Sequence, residues 1–314
     1  MRIAEGNGIR VETVDAGTLR VDGGAMFGAV PKEMWRRRAE PDERNRILLA
    51  MRCLYVETPD ARVLVDTGAG NKGAPEVLAA WDLRNEGSPT RLEESLRHLG
   101  VEPGDVDIVL LTHLHFDHAG GATRRDGDRI VPSFPRARHI VRRGEWEVAR
   151  SGDRRVAAAY DPDDTRPLEM HGLLELVEGE TEVVPGVRLV DMPGHTRDHQ
   201  GVLIDVGDGT VCYPADLVPT AAHVPVSWIM AYDLEPLVTW KEKERWLTRA
   251  GAGGWRLVFE HDPVVVAARA RPADSGLGCE LEDRWEAGAR ANVAGAAPSP
   301  ARVGTDDRDR IDEE

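Results

Sequence analysis

The sequence is poor in cysteine and has no long apolar run. Its three cysteines, Cys53, Cys212 and Cys279, are scattered through 314 residues, and no Cys-x-x-Cys pair is present. This small, odd set excludes a disulfide framework and predicts reduced cysteines that pack in the interior. No stretch approaches the roughly 20 apolar residues that cross a bilayer, and the N-terminus lacks an apolar signal-peptide core. We therefore expect a cytoplasmic protein with no membrane partner.

The chain also lacks an excess of positive charge. Lys and Arg total 40 against 55 Asp and Glu, which gives a formal net charge of −15. A polyanion would be repelled at long range, so we expect no nucleic-acid partner. The length and the 41% hydrophobic content suffice for a sizeable core. We expect one domain over residues 1–285, with N-terminal strands and a site-covering loop in residues 1–45, and a disordered acidic tail over residues 286–314.

Short apolar runs alternate with helical patterns, which predicts an α/β layered fold. Capping-box patterns at 90–93 and 239–242 predict helices that end at Gly100 and Gly251, and a third helix is expected over 145–150. The irregular segment 23–35 is an apolar loop that either seals the core or covers a site. The predicted strands are a hairpin-like pair at 11–15 and 18–21, followed by 48–57, 62–65, 106–111, 138–141, 186–190, 201–206, 210–213 and 256–259.

Four polar motifs begin where an apolar strand ends. They cover residues 112–118, 191–195, 214–216 and 260–263. In layered α/β proteins, ligand sites form at strand ends, because the loops converge there on a rigid sheet. The four motifs therefore predict one shared site.

The motif His113-Leu114-His115-Phe116-Asp117-His118 is the most informative. Imidazoles two residues apart in an extended segment point to the same side, and neutral imidazole and carboxylate are typical zinc ligands. The alternative is a polar loop whose histidines are solvated. The motif follows directly after a buried strand, and this position disfavours that alternative. Adding His195, Asp216 and His261 gives seven ligands, which suits two metal ions that share one carboxylate.

These motifs resemble the signature of the metallo-β-lactamase-fold hydrolases over about residues 48–263. The segments 65–68, 113–118, 194–196, 215–216 and 260–263 occur in the order found in that family. The resemblance implies an αββα sandwich of two mixed β-sheets flanked by helices, with a dinuclear site on one edge. It implies that His113, His115 and His195 hold the first ion, that Asp117, His118 and His261 hold the second, that Asp216 bridges them, and that Asp66 orients a ligand.

Segments 23–28 and 30–32, together with 216–220 and His223, Trp228, Tyr232 and Asp233, resemble the lactonase-like, quorum-quenching branch of the family. Well-studied acyl-homoserine-lactone lactonases place a tyrosine just after the bridging aspartate to hold the substrate carbonyl. This sequence has Leu217-Val218-Pro219 there. We hypothesise that His223 or Tyr232 supplies the donor instead.

The resulting expectation is a metal-dependent hydrolase that cleaves a lactone or carboxylic ester with a metal-bridging hydroxide, while Asp117 carries the proton. We expect two Zn²⁺ ions, with Mn, Co or Fe as alternatives, and a neutral small-molecule substrate with an apolar group. Phosphotriesterase or phosphodiesterase-type hydrolysis is the alternative activity. A non-catalytic metal-binding sensor is a weaker alternative, because all seven ligand positions are filled. The sequence leaves the oligomeric state open, a homodimer included.

Overall fold

A computed structural model describes residues 1–85 and 87–288 of the chain. Fourteen of the sixteen strands in this part of the chain form two seven-stranded mixed sheets. The strands are β1 (Arg2–Gly6), β2 (Ile9–Asp22), β3 (Arg46–Glu57), β4 (Arg62–Val65), β5 (Ile108–Leu110), β6 (Thr123–Asp126), β7 (Arg129–Pro132), β8 (Arg138–Arg142), β9 (Leu174–Val177), β10 (Thr181–Val184), β11 (Val187–Asp191), β12 (Gln200–Asp205), β13 (Thr210–Tyr213), β14 (Arg256–Val258), β15 (Val265–Pro272) and β16 (Cys279–Glu286).

The first sheet has the order β1-β2-β3-β4-β5-β8-β9, and the second runs from β10 to β16 in chain order. β6 and β7 form a separate two-stranded ribbon. Parallel pairs join β4 to β5, β5 to β8, β8 to β9 and β13 to β14, whereas the other pairs in the two sheets are antiparallel. Apolar side chains of the two sheets, such as Val65, Leu110, Val202 and Val211, form one central core. The predicted α/β sandwich of two mixed sheets is confirmed.

Helices cover the outer face of each sheet. They are α1 (Gly23–Phe27), α2 (Lys32–Trp35), α3 (Pro75–Ala80), α4 (Arg91–His98), α5 (Phe116–Ala119), α6 (Arg143–Arg150), α7 (Pro162–Met170) and α8 (Pro236–Gly253). Phe27, Trp35 and Leu96 pack on the first sheet, and Trp246 and Leu247 of α8 pack on the second. The apolar strand faces that point away from the central core are thereby removed from water.

The predicted N-terminal hairpin at 11–15 and 18–21 is wrong, because both runs belong to the single strand β2. The register of β2 against β3 shifts between Asp15 and Thr18. Gly17 adopts φ +109° there, and its amide donates to Asp15 Oδ1 at 2.8 Å. The glycine therefore forms a bulge that continues the strand, whereas the sequence pattern suggested a turn.

The two predicted capping boxes have different outcomes. Thr90 and Glu93 form the reciprocal bonds of a capping box at the start of α4. Thr239, in contrast, lies inside α8, which begins three residues earlier with Pro236 in its first turn. Proline suits this position because it has no amide hydrogen to satisfy. The helix also continues past Gly251 and is capped by Gly254 in the left-handed conformation.

Within the described residues, no helix combines the length and the apolar content needed to cross a membrane. The three cysteines are buried and unpaired, as the sequence predicted. The predicted irregular loop at 23–35 contains the short helices α1 and α2. The predicted tail at 286–314 lies outside the described residues from position 289 onward.

Candidate metal centre

The four polar motifs meet at one edge of the sandwich. The segments 112–118 and 214–216 follow the parallel strands β5 and β13, and 260–262 follows β14. Backbone bonds also join the two sheets here, from the Ala50 amide to the His261 carbonyl at 3.1 Å and from the Arg52 amide to the Glu260 carbonyl at 3.1 Å. Strand β3 of the first sheet thereby fixes the segment that carries His261.

A first group of ligand-type side chains contains His113, His115, His195 and Asp216, whose candidate ligand atoms lie within 4.8 Å of one another. His195 Nε2 lies 3.0 Å from His115 Nδ1 and 3.1 Å from Asp216 Oδ2. His113 Nε2 lies 3.9 Å from the same carboxylate oxygen. Three imidazoles and one carboxylate therefore face a common point.

A second group shares Asp216 with the first. His261 Nε2 lies 3.1 Å from Asp216 Oδ1 and 3.3 Å from His118 Nε2. The Asp117 carboxylate lies 3.9 Å from His118 Nε2 and 3.8 Å from His261 Nε2. The buried Glu260 also belongs to this group by distance. The structure thus brings together all seven residues that the sequence indicated as metal ligands.

The spacing and chemistry of these atoms fit divalent metal ions. Two ligands at 2.0–2.1 Å from a tetrahedral zinc ion are about 3.3 Å apart, and the observed separations run from 3.0 to 3.9 Å. His113 Nε2 is fully buried and has no hydrogen-bond partner. An unpaired buried nitrogen is costly, and a metal ion is one group that would satisfy it.

Four of the five histidines have their other ring nitrogen bound to a protein acceptor. His113 Nδ1 contacts Thr112 Oγ1 at 3.1 Å, and His261 Nδ1 donates to the Ala50 carbonyl at 2.7 Å. His195 Nδ1 lies 3.1 Å from Asp233 Oδ1. His118 Nδ1 lies 3.1 Å from carboxylate oxygens of both Asp66 and Glu260. Such partners fix the ring orientation and the tautomer of a metal-binding histidine.

Asp66 holds the first histidine motif in place. Its two carboxylate oxygens accept from the Thr112 amide and the Thr112 hydroxyl, both at 2.8 Å. Asp66 itself has φ +57°, an uncommon conformation for a residue with a side chain. On the far side of the motif, a Cβ at Gly121 would overlap the Thr67 carbonyl. Gly121 therefore permits close contact between two backbone segments.

The electrostatics hold Asp216 ionised and His113 neutral. Burial and the neighbouring His118 and His115 hold the pKa of His113 well below its usual value. Burial would raise the pKa of Asp216, but His195, His261 and His118 together hold it well below the usual value. A neutral imidazole and an ionised carboxylate are the forms that coordinate a cation. Around His118, His195 and His261, burial lowers the pKa of the imidazole, but the neighbouring carboxylates outweigh it and raise the pKa above its usual value, so a metal ion would displace a proton from these rings.

A model of the Metallo-beta-lactamase superfamily matches residues 52–261, a span that contains all seven of these residues. The chain belongs to this superfamily.

Comparisons with individual proteins agree with this membership. An N-acyl homoserine lactonase from Bacillus sp. is 32% identical over 163 residues, which are 49% of this chain and 57% of that protein. The chain therefore spans under two thirds of that relative's length. A probable metal-dependent hydrolase from Staphylococcus aureus has the same fold, with a TM-score of 0.83, 28% identity and coverage of 91% of this chain and 99% of the other.

The fold is also that of AidC, a dizinc quorum-quenching lactonase. The superposition has a TM-score of 0.72 and covers 90% of this chain and 97% of AidC. At 18% identity, this likeness shows the metallo-beta-lactamase fold alone.

The two hypothesised substrate donors lie in different surroundings. His223 is fully buried, its ring stacks on Phe27 with centroids 4.7 Å apart, and its nitrogens contact Thr220 Oγ1 at 2.7 Å and the Met26 carbonyl at 2.8 Å. Neither nitrogen is free to bind a substrate. Tyr232 is 37% exposed, and burial together with Asp22 and Asp117 raises the pKa of its phenol to about 12. A protonated phenol is a hydrogen-bond donor.

Further side chains support this metallo-beta-lactamase centre. His199 Nδ1 donates to the Met192 carbonyl at 2.8 Å, and its Nε2 accepts from the Asp216 amide at 3.2 Å, so it positions the shared aspartate. Sequence reasoning missed the roles of Glu260, which lies in the polar motif 260–263, and of Glu145, which begins the predicted helix 145–150. No local motif marks a role for either glutamate, although the position directly before His261 was a visible signal for Glu260.

Proposed function

We propose that this protein is a hydrolase that uses two divalent ions, preferentially zinc, to cleave lactones or carboxylic esters. The main supporting observation is that five histidines form two groups joined by Asp216, with the Asp117 carboxylate 3.8–3.9 Å from His261 and His118 of the second group. The superfamily and the lactonase among its relatives support a hydrolytic role. The dizinc centre of the fold relative AidC supports two ions rather than one.

In this proposal, the two ions divide the ligands between them. His113, His115 and His195 would hold the first ion, and Asp117, His118 and His261 would hold the second. Asp216 would be common to both, since its Oδ2 lies 3.1 Å from His195 Nε2 and its Oδ1 lies 3.1 Å from His261 Nε2.

Two divalent ions, when bound, lower the pKa of a water molecule toward 7 and stabilise negative charge on the substrate oxygen. The protein's own groups complete the reaction. Asp117 is partly exposed and lies beside both His118 and His261, so its carboxylate can carry a proton to the leaving alkoxide. The Tyr232 hydroxyl donates to the substrate carbonyl and takes the place of the tyrosine missing after Asp216.

Apolar side chains beside the centre support a neutral substrate with an apolar group. The backbone of Leu234 is bound to the His195 carbonyl at 3.1 Å, and the Leu234 side chain is 47% exposed. Leu237, three residues further along, is 78% exposed. Exposed apolar groups near a polar site are suited to hold the acyl chain of a lactone or the alkyl part of an ester.

The test measures metal content and hydrolysis in the same preparation. We expect about two zinc ions per chain and turnover of acyl-homoserine lactones or aryl esters that chelation abolishes and zinc restores. A phosphotriester in the same panel tests the alternative activity. Protein that hydrolyses lactones and esters at full rate after complete metal removal would contradict the proposal, as would turnover confined to the phosphotriester.

A matched pair of histidine variants separates the centre from the remainder of the fold. His195→Asn should lose one of the two bound ions together with hydrolysis. His139→Asn replaces another buried histidine, whose Nδ1 bonds the Ala137 carbonyl at 3.1 Å outside the two groups, and should retain both properties. Circular dichroism verifies that each variant is folded. Equal metal loss in both variants would remove the basis for the ligand assignment.

A further inference from the structure

Glu145 is a buried carboxylate that connects the two loops of the first ligand group. It lies on α6, and its side chain is 1% exposed. Its Oε1 accepts from the Leu114 amide at 3.1 Å, and its Oε2 accepts from the Thr196 hydroxyl at 2.7 Å. Leu114 lies between His113 and His115, and Thr196 follows His195. One carboxylate thus fixes the backbone or the neighbouring side chain of all three histidines.

Tyr160 extends this network to a metal-ligand ring. Its hydroxyl donates to Glu145 Oε1 at 2.9 Å, and its ring lies against the His115 imidazole with centroids 5.0 Å apart. Burial raises the pKa of Glu145, while Thr196, Leu114 and Tyr160 counteract this by donating hydrogen bonds. A carboxylate is costly to bury, and three donors aimed at it compensate for lost hydration.

Glu260 has the corresponding position in the second group. It is fully buried, and its Oε2 lies 3.1 Å from His118 Nδ1, on the opposite side of the ring from the Nε2 atom that faces Asp216. Asp66 Oδ2 lies 3.1 Å from the same Nδ1 atom. Asp66 accepts the hydrogen bond of this Nδ1 atom, whereas the Glu260 carboxylate, which has no hydrogen-bond partner among the described residues, places a second negative charge beside the same ring. Negative charge at Nδ1 makes the other nitrogen of the imidazole a stronger donor to a cation.

We propose that each ion pocket has its own positioning carboxylate, Glu145 for the first pocket and Glu260 for the second. This inference rests on the dinuclear centre of the proposed function. Glu145 bonds to the loops of His113, His115 and His195 and to Tyr160, whose ring lies against His115, whereas Glu260 contacts His118. Each carboxylate therefore controls the affinity of one ion, and Asp216 is the ligand common to both.

The test uses Glu145→Gln and Glu260→Gln in the full chain, with Zn²⁺ affinity measured by competition against a chelator. Loss of an outer partner of a ligand weakens metal affinity by about 10- to 100-fold. We expect a loss of this size for one ion per variant, with the other ion unchanged. Glu147→Gln on the exposed side of α6 is the matched control and should leave both affinities unchanged.

Backgrounds with a single pocket identify which ion is affected. In His195→Asn, which retains the second pocket, Glu260→Gln should weaken Zn²⁺ binding and Glu145→Gln should have no further effect. In His261→Asn the two results should be exchanged. A variant that weakens both pockets equally, or neither, would overturn the inference.

Two further observations keep the outcome clear. If Glu145→Gln does not fold, Thr196→Val removes only the bond to the His195 loop and should weaken the first ion alone. A wild-type protein that binds fewer than two ions would contradict the proposed function itself. If the wild-type protein binds two ions, and Glu145→Gln and Glu260→Gln leave both Zn²⁺ affinities unchanged, only this inference is contradicted.

Discussion

Asp216 joins two histidine groups because its two carboxylate oxygens face different rings. Its Oδ2 lies 3.1 Å from His195 Nε2, and its Oδ1 lies 3.1 Å from His261 Nε2. The residue follows Ala215, which has φ +44°, a conformation that is unfavourable for a residue with a Cβ. Local strain of this kind persists where the surrounding structure fixes it, which is typical of functional sites.

Tyr232→Phe should lower kcat/KM for a lactone by about 10- to 100-fold, because a hydrogen bond to a developing oxyanion contributes roughly 1.5–3 kcal/mol. The phenyl ring keeps its packing, so metal content should remain at the wild-type value. Steady-state kinetics with metal analysis of the same sample measures both quantities.

The matched control is Tyr55→Phe, which removes a buried hydroxyl that has no hydrogen-bond partner. It should leave hydrolysis unchanged. Wild-type kinetics in Tyr232→Phe would show that another group, or an ion alone, stabilises the substrate oxygen.

At the level of residues, the candidate ligands and the supporting Asp66 could be predicted from the sequence, whereas the supports from distant segments could not. Histidines and aspartates at strand ends form a dense local pattern, as in 113–118. Glu145 reaches Thr196 across 51 positions of the chain, and His195 reaches Asp233 across 38. Such contacts depend on packing between distant segments. His223 illustrates the opposite error, because nearness in sequence to Asp216 did not make its nitrogens available.

Helix α4 begins at a capping box whose two bonds are both present. The Glu93 amide donates to Thr90 Oγ1 at 3.3 Å, and the Thr90 amide donates to Glu93 Oε2 at 2.7 Å. Leu92 and Leu96 of this helix are buried against the first sheet. The cap therefore supports one of the layers that exclude water from the first sheet.

Thr90→Ala should lower the free energy of unfolding by about 0.5–2 kcal/mol, because the Glu93 amide loses its acceptor at the helix start. Urea denaturation measures the change. Glu93→Gln keeps a side chain that can complete the capping box and should cost less than Thr90→Ala. An equal or larger loss in the glutamine variant would mean that the threonine bond contributes little.

At the level of elements, the local sequence pattern correctly predicted the start of α4. It was wrong about the turn within β2 and about the start of α8. The capping box of α4 is satisfied within four residues. The chain at Gly17 continues as a strand because β3 binds both halves of β2, and β3 begins 29 residues later. The start of α8 depends on backbone bonds from Leu234 to the His195 carbonyl and from Glu235 to the Gly194 carbonyl. These long-range contacts outweigh the local pattern around Thr239.

For the whole molecule, the two sheets meet through buried polar groups at the site as well as through the apolar core. The Arg52 side chain on β3 donates to the carbonyls of Phe259 and Asp262. The Tyr213 hydroxyl of the second sheet donates to the Arg52 carbonyl at 2.7 Å. The candidate ligands therefore lie on a framework built from both sheets.

Metal removal should destabilise the entire fold, because ions that bind only the native state raise its stability by mass action. At a free zinc concentration 100 times the dissociation constant, one site contributes about 2.7 kcal/mol. Thermal unfolding with zinc and with excess chelator should differ by several degrees. The His195→Asn and His261→Asn double variant should show almost no difference, and a shift as large as that of the wild type would place the stabilising ions elsewhere.

The backbone bonds from Ala50 and Arg52 to the segment 260–261 have a consequence for the order of assembly. The first histidine motif can form once β4, β5 and β8 have paired, whereas His261 reaches its final position only after a strand from the opposite end of the described chain has docked. Both proposed pockets also take ligands from the second sheet, since Asp216 is common to them. During refolding, uptake of two cations therefore reports the moment at which both halves have closed on each other. A chromophoric ion such as Co²⁺ would record that event as a late change in absorbance.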